Sequence, residues 1–261
     1  MRILLKLISE KDSEYDLKYF HKLQGFIYSL LKETPYSVLH DKKGYKFFCF
    51  SNIFPIGRLK VGDTRNLLIS SPDELFIRFL EQRLKSLMDI GKTIYIGEMS
   101  FKIEDIKLIK IKLRKDTTLI SATPIVIRIP ERNYEKYNIP EEYRKKRYVY
   151  WRPIFGLEAF KKQLEENLFK KYKEFYKVEV EEFPLFEQVK FNKEVCSHVI
   201  INGIEHRVIG SIWEFVFSYL DKEQKKILEF GIDCGFGERN SLGFGFINAI
   251  RVKKNLRIKK F

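Results

Sequence analysis

Three side chains near the N-terminus have the types and spacing for acid–base chemistry on a phosphodiester. Tyr28 lies one position past Ile27, at the edge of an apolar stripe, and His40 and Lys46 flank the loop His40-Asp-Lys-Lys-Gly44-Tyr-Lys46. Metal-free RNA cleavage needs one group to take the proton from a ribose 2′-OH and one to protonate the departing 5′ oxygen. It also needs a cation to offset the extra negative charge on the phosphorane. Imidazole, phenol and ammonium supply that set, and His is the side chain that titrates near neutrality. Spacing alone fits an ordinary basic surface loop equally well, and Lys42 and Lys43 stand in the same loop.

A second segment is Gly235-Phe-Gly237-Glu-Arg239-Asn240-Ser241-Leu-Gly243-Phe-Gly245, with Gly231 just before it. Its glycines free the backbone to take positive φ and let amides approach a phosphate, while Arg239, Asn240 and Ser241 add donors. The Gly-Lys-Ser/Thr ending of a Walker loop is absent, and the segment leads into a strand where a dinucleotide fingerprint would start a helix. A tight glycine-rich turn beside a bulged strand is the plainer reading of the same pattern. His198 and His206 lie on the two arms of an expected hairpin, where two-residue-turn pairing sets Val199 opposite His206 and Arg207 opposite His198. Their rings then face opposite ways, and a third metal ligand is missing. His21 reads as structural or partly exposed. No metal or other cofactor is expected.

These residues need a scaffold, and the apolar spacing describes one. Residues 2–8 read as a strand, and a helix runs from Leu17 to before Pro35 with Phe20, Leu23, Ile27, Leu30 and Leu31 on its stripe. Short strands follow at 45–50 and 66–70. Ser71 and Pro72 suit the cap and first turn of a second helix carrying Leu75, Phe76, Phe79, Leu80 and Leu84. Strands near 93–97 and 101–113 complete a β-α-β-β-α-β order, the ferredoxin-like unit. The second half repeats that order: a strand at 123–129, a helix at 158–175, strands at 185–191 and 195–219 with a turn at Asn202-Gly203, a helix at 221–230 and a strand at 242–250. Trp213, Phe215 and Phe217 alternate as in a strand and suit either a core or a dimer surface. The expected class is therefore α+β with two tandem ferredoxin-like (βαββαβ) domains, 1–122 and 123–250, and a basic tail at 251–261.

The chain has 261 residues, 44% hydrophobic and 32% charged, and a formal charge of +14, which excludes wholesale disorder and favours a polyanionic partner. RNA or DNA is the first candidate, because Lys and Arg that meet phosphates release counterions, and no amphipathic anchor points to a membrane. Basic clusters lie at Lys107–Lys115, at Arg144-Lys145-Lys146-Arg147, and in the tail, and Tyr143, Tyr148, Tyr150 and Trp151 beside the middle cluster are candidates for stacking on bases. Three cysteines at wide spacing, Cys49, Cys196 and Cys234, suit a reducing cytoplasm and neither a disulfide framework nor a zinc site. The opening Met1-Arg-Ile-Leu-Leu-Lys reads as a strand and not a signal peptide, and no apolar run reaches the roughly 18 residues of a membrane span.

The ending Gly235-Phe-Gly-Glu-Arg-Asn-Ser-Leu-Gly-Phe-Gly245 resembles the C-terminal glycine-rich signature of the CRISPR-associated endoribonucleases of the Cas-six family, in the RAMP superfamily. Leu23-Gln-Gly-Phe-Ile-Tyr28 and Leu39-His40-Asp-Lys-Lys-Gly44-Tyr-Lys46 resemble the helix and loop that hold that family's catalytic residues. The resemblance implies two ferredoxin-like domains and metal-independent cutting of CRISPR repeat RNA, leaving 5′-hydroxyl and 2′,3′-cyclic phosphate ends. It makes His40 a general base or acid, Tyr28 its partner in proton transfer or orientation, and Lys46 the phosphorane cation. Gly235, Gly237, Arg239, Asn240, Ser241, Gly243 and Gly245 become RNA-binding, chiefly through backbone amides. A non-catalytic repeat-RNA-binding subunit of a CRISPR ribonucleoprotein is the alternative, and a generic RNA-binding protein a third reading. The partners implied are the precursor transcript and an interference complex, for a monomer or homodimer.

Overall fold

A computed structural model describes residues 1–16, 19–114, 117–144, 146–201 and 203–251. The chain opens with β1 (Arg2–Ser9), whose alternate residues Ile3, Leu5 and Leu7 are fully buried. After α1 (Phe20–Leu30) come β2 (Cys49–Phe50), β3 (Thr64–Ser70), α2 (Glu74–Asp89), β4 (Ile94–Ile96) and β5 (Met99–Ile109). The strands form one antiparallel sheet in the order β2-β3-β1-β5-β4, with Leu5 paired to Leu67 on one side and Ile106 on the other. Without the short edge strand β4 this is the βαββαβ order of a ferredoxin-like unit. Leu23, Ile27 and Leu30 of α1, and Phe76, Ile77, Leu80 and Leu84 of α2, are the apolar stripes turned into its core.

The second half contains β6 (Thr117–Ser121), β7 (Arg128–Pro130), β8 (Tyr148–Tyr150), α3 (Leu157–Tyr176), β9 (Gln188–Ile201), β10 (Ile204–Val216), α4 (Lys222–Cys234) and β11 (Ile247–Arg251). Its main sheet runs β11-β6-β10-β9, all antiparallel, so the same topology recurs and the fold is two tandem ferredoxin-like units. Trp213, Phe215 and Phe217 lie in its core, with Trp213 stacked on Phe160 at 3.9 Å between centroids.

Local expectations shift in several places; the strand expected at 185–191 runs on unbroken into the first hairpin arm as β9, and the closing strand starts at Ile247 and not at 242. The first strand of the second sheet is 117–121 and not 123–129. Pro124 has no N–H to give a ladder, so the chain from 123 leaves the sheet edge and makes only isolated bridges, Ile125 to Ser211 and Val126 to Glu238, before β7 pairs with β8. Helix α2 is capped by Asp73, whose carboxylate accepts from the amides of Leu75 and Phe76, while the Ser71 hydroxyl donates to the Phe47 carbonyl. The strand expected at 45–50 is reduced to 49–50, because Phe47 takes a positive φ of 52°. The β9–β10 hairpin pairs His206 with Val199 and Arg207 with His198 as read from the sequence. Residue 202 of its turn, residue 17 at the expected start of α1, Lys115, Lys145 and the tail beyond 251 lie outside the described residues.

The two units meet across a charged seam, in which Arg2 Nε and Asp233 Oδ1 are buried without a hydrogen-bond partner. The buried Arg2 guanidinium donates to the carbonyls of Ile232, at 3.0 Å, and Ile247, and lies 4.4 Å from the centre of the Phe246 ring. Burial pushes its pKa down to about 10, against the opposing pull of Asp233. Phe20 of α1 stacks on Phe244 of the other unit at 5.8 Å. Among the described residues no helix is long and apolar enough to cross a membrane.

Candidate active site

Helix α1 carries Tyr28 on its last turn, one residue round from the buried Ile27, so the ring lies at the border of core and solvent. Beyond Leu31 the chain turns through Thr34 and a 3-10 turn at Ser37–Leu39, which returns His40 over the helix end. The loop then reverses at Gly44, with φ of 90°, and brings back Lys46. The Lys46 ammonium donates to the Tyr28 hydroxyl at 2.8 Å and to the His40 carbonyl at 2.9 Å. The rings of Tyr28 and His40 meet edge to face at 5.3 Å. All three sequence-selected side chains thus share one spot. The two neighbouring lysines do not: the Lys42 ammonium sits 5.0 Å over the Phe47 ring, and Lys43 is exposed.

The electrostatics of the group differ residue by residue. Burial pushes Tyr28 up to about 12, against the lowering effect of a hydrogen bond with Ser241, so at neutral pH it is a phenol and a proton donor. Burial lowers the pKa of Lys46, with Asp41 opposing and Lys42 adding to the effect. Two of the three ammonium hydrogens of Lys46 are used by the protein, and one is left for a ligand. His40 Nδ1 lies 2.6 Å from the Asp41 carboxylate. An ionised carboxylate only accepts, so Nδ1 carries the proton, and Nε2 of the neutral ring offers its lone pair.

The glycine-rich loop faces this group from the other unit. Its glycines answer to internal packing: a Cβ on Gly245 would lie 1.9 Å from the Phe236 carbonyl oxygen, and one on Gly243 2.4 Å from the Phe50 ring. The amides of Gly235, Phe236, Glu238, Gly243 and Gly245 all donate to protein carbonyls. The Asn240 amide is likewise turned inward, donating to the carbonyls of Phe236 and Phe244 at 3.0 and 2.9 Å. Gly237 is buried against Val126. Arg239 and Ser241 are the half-buried side chains left at the cleft, and Arg239 Nε has no hydrogen-bond partner.

Two residues that the sequence reading passed over tie the loop to the cleft. Lys171 of α3, only 1% exposed, donates to the carbonyls of Gly235 and Gly237 and to Asn240 Oδ1, with the last bond at 2.6 Å. Burial pushes its pKa down, with the two buried thiols Cys234 and Cys49 opposing. Gln24 donates to the Ser241 carbonyl at 2.8 Å and lies 3.3 Å from the Tyr28 hydroxyl, so it links the loop to the phenol across the seam. Gln24 is one turn before Tyr28, a spacing that could have singled it out, whereas Lys171 lies in a long Lys- and Glu-rich helix and carries no local signal. The resulting cleft encloses about 730 Å³ and is also lined by His21 and Tyr45, and by the β9–β10 hairpin tip at Ile200 and Gly203.

The remaining sequence candidates lie elsewhere. His198 pairs with Glu205 at 3.0 Å on the hairpin, and Trp151 is core. Tyr143 packs edge-on against Phe155. Lys107, Lys110 and Lys112 pair with Asp105, Glu74 and Glu229.

Comparison with known proteins gives consistent relatives. The family model described as CRISPR associated protein Cas6, C-terminal, matches residues 104–249. The chain is 36% identical to the CRISPR-associated endoribonuclease Cas6 2 of Methanocaldococcus jannaschii, over 96% of this chain and all of the relative. It is 30% identical to the CRISPR-associated endoribonuclease Cas6 of Haloferax mediterranei, over 97% of this chain and 95% of that one. A solved structure described as CRISPR associated protein Cas6 superposes with a TM-score of 0.68 at 25% identity, covering 97% of this chain and 99% of the other.

Proposed function

The chain belongs to the Cas6 family of CRISPR-associated endoribonucleases, and on that premise we propose that it cuts CRISPR repeat RNA without a metal ion. The precursor transcript lies in the cleft between the two units, in the cytoplasm, and the guide RNAs pass on to an interference complex. What carries the reading is the convergence of Tyr28, His40 and Lys46 at one point of that cleft.

The roles follow from the Asp41 contact of His40 Nδ1, which leaves Nε2 for the substrate, and from the neutral phenol of Tyr28. His40 Nε2 takes the proton of the 2′-OH, and the 2′ oxygen attacks the adjacent phosphorus. Tyr28, a neutral phenol, gives its proton to the departing 5′ oxygen as the phosphorus–oxygen bond breaks. Lys46 offsets the charge on the phosphorane with its remaining N–H, and its contact with the Tyr28 oxygen steadies the phenolate formed on proton transfer. A 2′,3′-cyclic phosphate and a 5′-hydroxyl result, and proton exchange with water resets both side chains. Arg239 and Ser241 hold the RNA backbone on the opposite wall.

The test is incubation in excess EDTA with labelled repeat RNA, native or with one 2′-deoxy nucleotide at each candidate position. One discrete cut, lost with a single 2′-deoxy, is expected. Tight binding with no cut at any pH would replace the proposal by a non-catalytic repeat-RNA-binding subunit. A 5′-bridging sulfur at the cut separates the roles, since its leaving thiolate needs no proton. It should rescue Tyr28→Phe and not His40→Ala.

A further inference from the structure

We infer that a side pocket opening off the catalytic cleft is a nucleotide-binding subsite, holding one unpaired RNA nucleotide next to the cut. The inference rests on the proposed RNA substrate and adds a subsite to it. The pocket encloses about 360 Å³ between the β7–β8 ribbon and α3, and shares Tyr45, Arg128 and Glu238 with the main cleft, so a strand can pass from one to the other. That volume is in the range of small-ligand sites, roughly 300–1000 Å³.

Each part of a nucleotide finds its counterpart in the lining. Arg132 and Arg147 stand exposed at the pocket, and among the described residues neither side chain has a hydrogen bond or ion pair. Arg128, in the same lining, is by contrast paired with Glu238. Two unpaired guanidiniums lining one pocket suit a phosphate, which can take both prongs of a guanidinium fork. Tyr148 is half-buried in the wall with the Arg128 guanidinium 4.7 Å from its ring centre, a platform on which a base can stack. The Asn167 Oδ1 atom is buried in the lining and has no partner, an unmet acceptor matching a base amino group or a ribose hydroxyl. Four cations, Arg128, Arg132, Arg147 and Lys170, line the pocket against two carboxylates, Glu166 and Glu238, so its net charge is positive.

The experiment measures dissociation constants across a salt series for repeat RNA made uncleavable by a 2′-deoxy at the cut, then shortened one nucleotide at a time from either side. Wild type is compared with Arg132→Ala/Arg147→Ala, whose altered residues are exposed, and with Tyr148→Ala. For RNA that reaches the pocket, the double variant should bind at least about tenfold more weakly, with its salt slope reduced by about 1, because one neutralised phosphate is lost. Beyond one particular truncation, wild type and variant should converge. An unchanged slope, or an equal loss for every RNA length, overturns the subsite while leaving the proposed function intact. Wild type that neither binds nor cuts repeat RNA refutes both.

Discussion

Replacing Lys171 by Met should loosen the glycine-rich loop and slow the site without touching any residue placed in catalysis. The Lys171 ammonium is the donor to Gly235 O, Gly237 O and Asn240 Oδ1. Removing it leaves three inward-facing acceptors short of a donor, at about 1–3 kcal/mol each. Met escapes the cost of burying an ammonium, which is several kcal/mol, so part of the loss is recovered. The net destabilisation should be about 3 kcal/mol. For a chain of this size each kcal/mol lowers Tm by about 2–4 °C, so the variant should melt about 6–12 °C below wild type in calorimetry. Asn240 precedes Ser241, whose carbonyl holds Gln24 beside Tyr28, so single-turnover cutting well below Tm should also fall about tenfold or more. Lys171→Arg keeps the charge and the donors and should recover part of the rate. A Met variant that melts within about 1 °C of wild type would refute the reasoning, since three unsatisfied buried acceptors cannot be that cheap.

Further expectations follow from the same geometry. Lys46→Ala should slow cutting by about 100- to 1000-fold at saturating RNA, the usual loss for one transition-state donor, while Lys42→Ala changes the rate less than about tenfold. A comparable loss in both would reassign the phosphorane cation. His40→Ala should abolish cutting with RNA affinity nearly unchanged, as read by anisotropy and gel assay on the same samples. Tyr28 and Tyr45 are both pushed up to about 12 by burial. Their unfolded forms ionise from about pH 10, so folding stability should be fully present below pH 10 and drain away between about pH 10 and 12, with Tyr28→Phe flattening the slope in denaturant titrations. Gly245→Ala, where φ is +71° and the Cβ has no room, should cost at least about 2 kcal/mol, whereas Gly25→Ala on the open face of α1 should gain about 0.5–1 kcal/mol.

Read as a sequence, the chain already discloses its repeated βαββαβ order. Apolar residues at three-and-four spacing bury one face of a helix, alternation buries one face of a strand, and both patterns are local. The pairing of His206 with Val199 was legible for the same reason, because a two-residue turn sets the register of a hairpin. Tyr28, His40 and Lys46 could be nominated from their chemical types. What sequence alone left open was settled by contacts between distant residues. The loop around Gly44 and Phe47 puts Lys46, and not Lys42 or Lys43, against Tyr28. Pro124 takes 123–129 out of the sheet and lays it under the glycine-rich loop, where Val126 accepts from Glu238 and Pro124 from Gly245. The glycines are there for close packing, and their amides are largely spent on the protein itself. Lys171 and Gln24 reach across 69 and 217 residues of sequence to Asn240 and Ser241. No local pattern marks such a partner, because a buried hydrogen bond is selected by the space and the unmet donors that the folded chain creates around it.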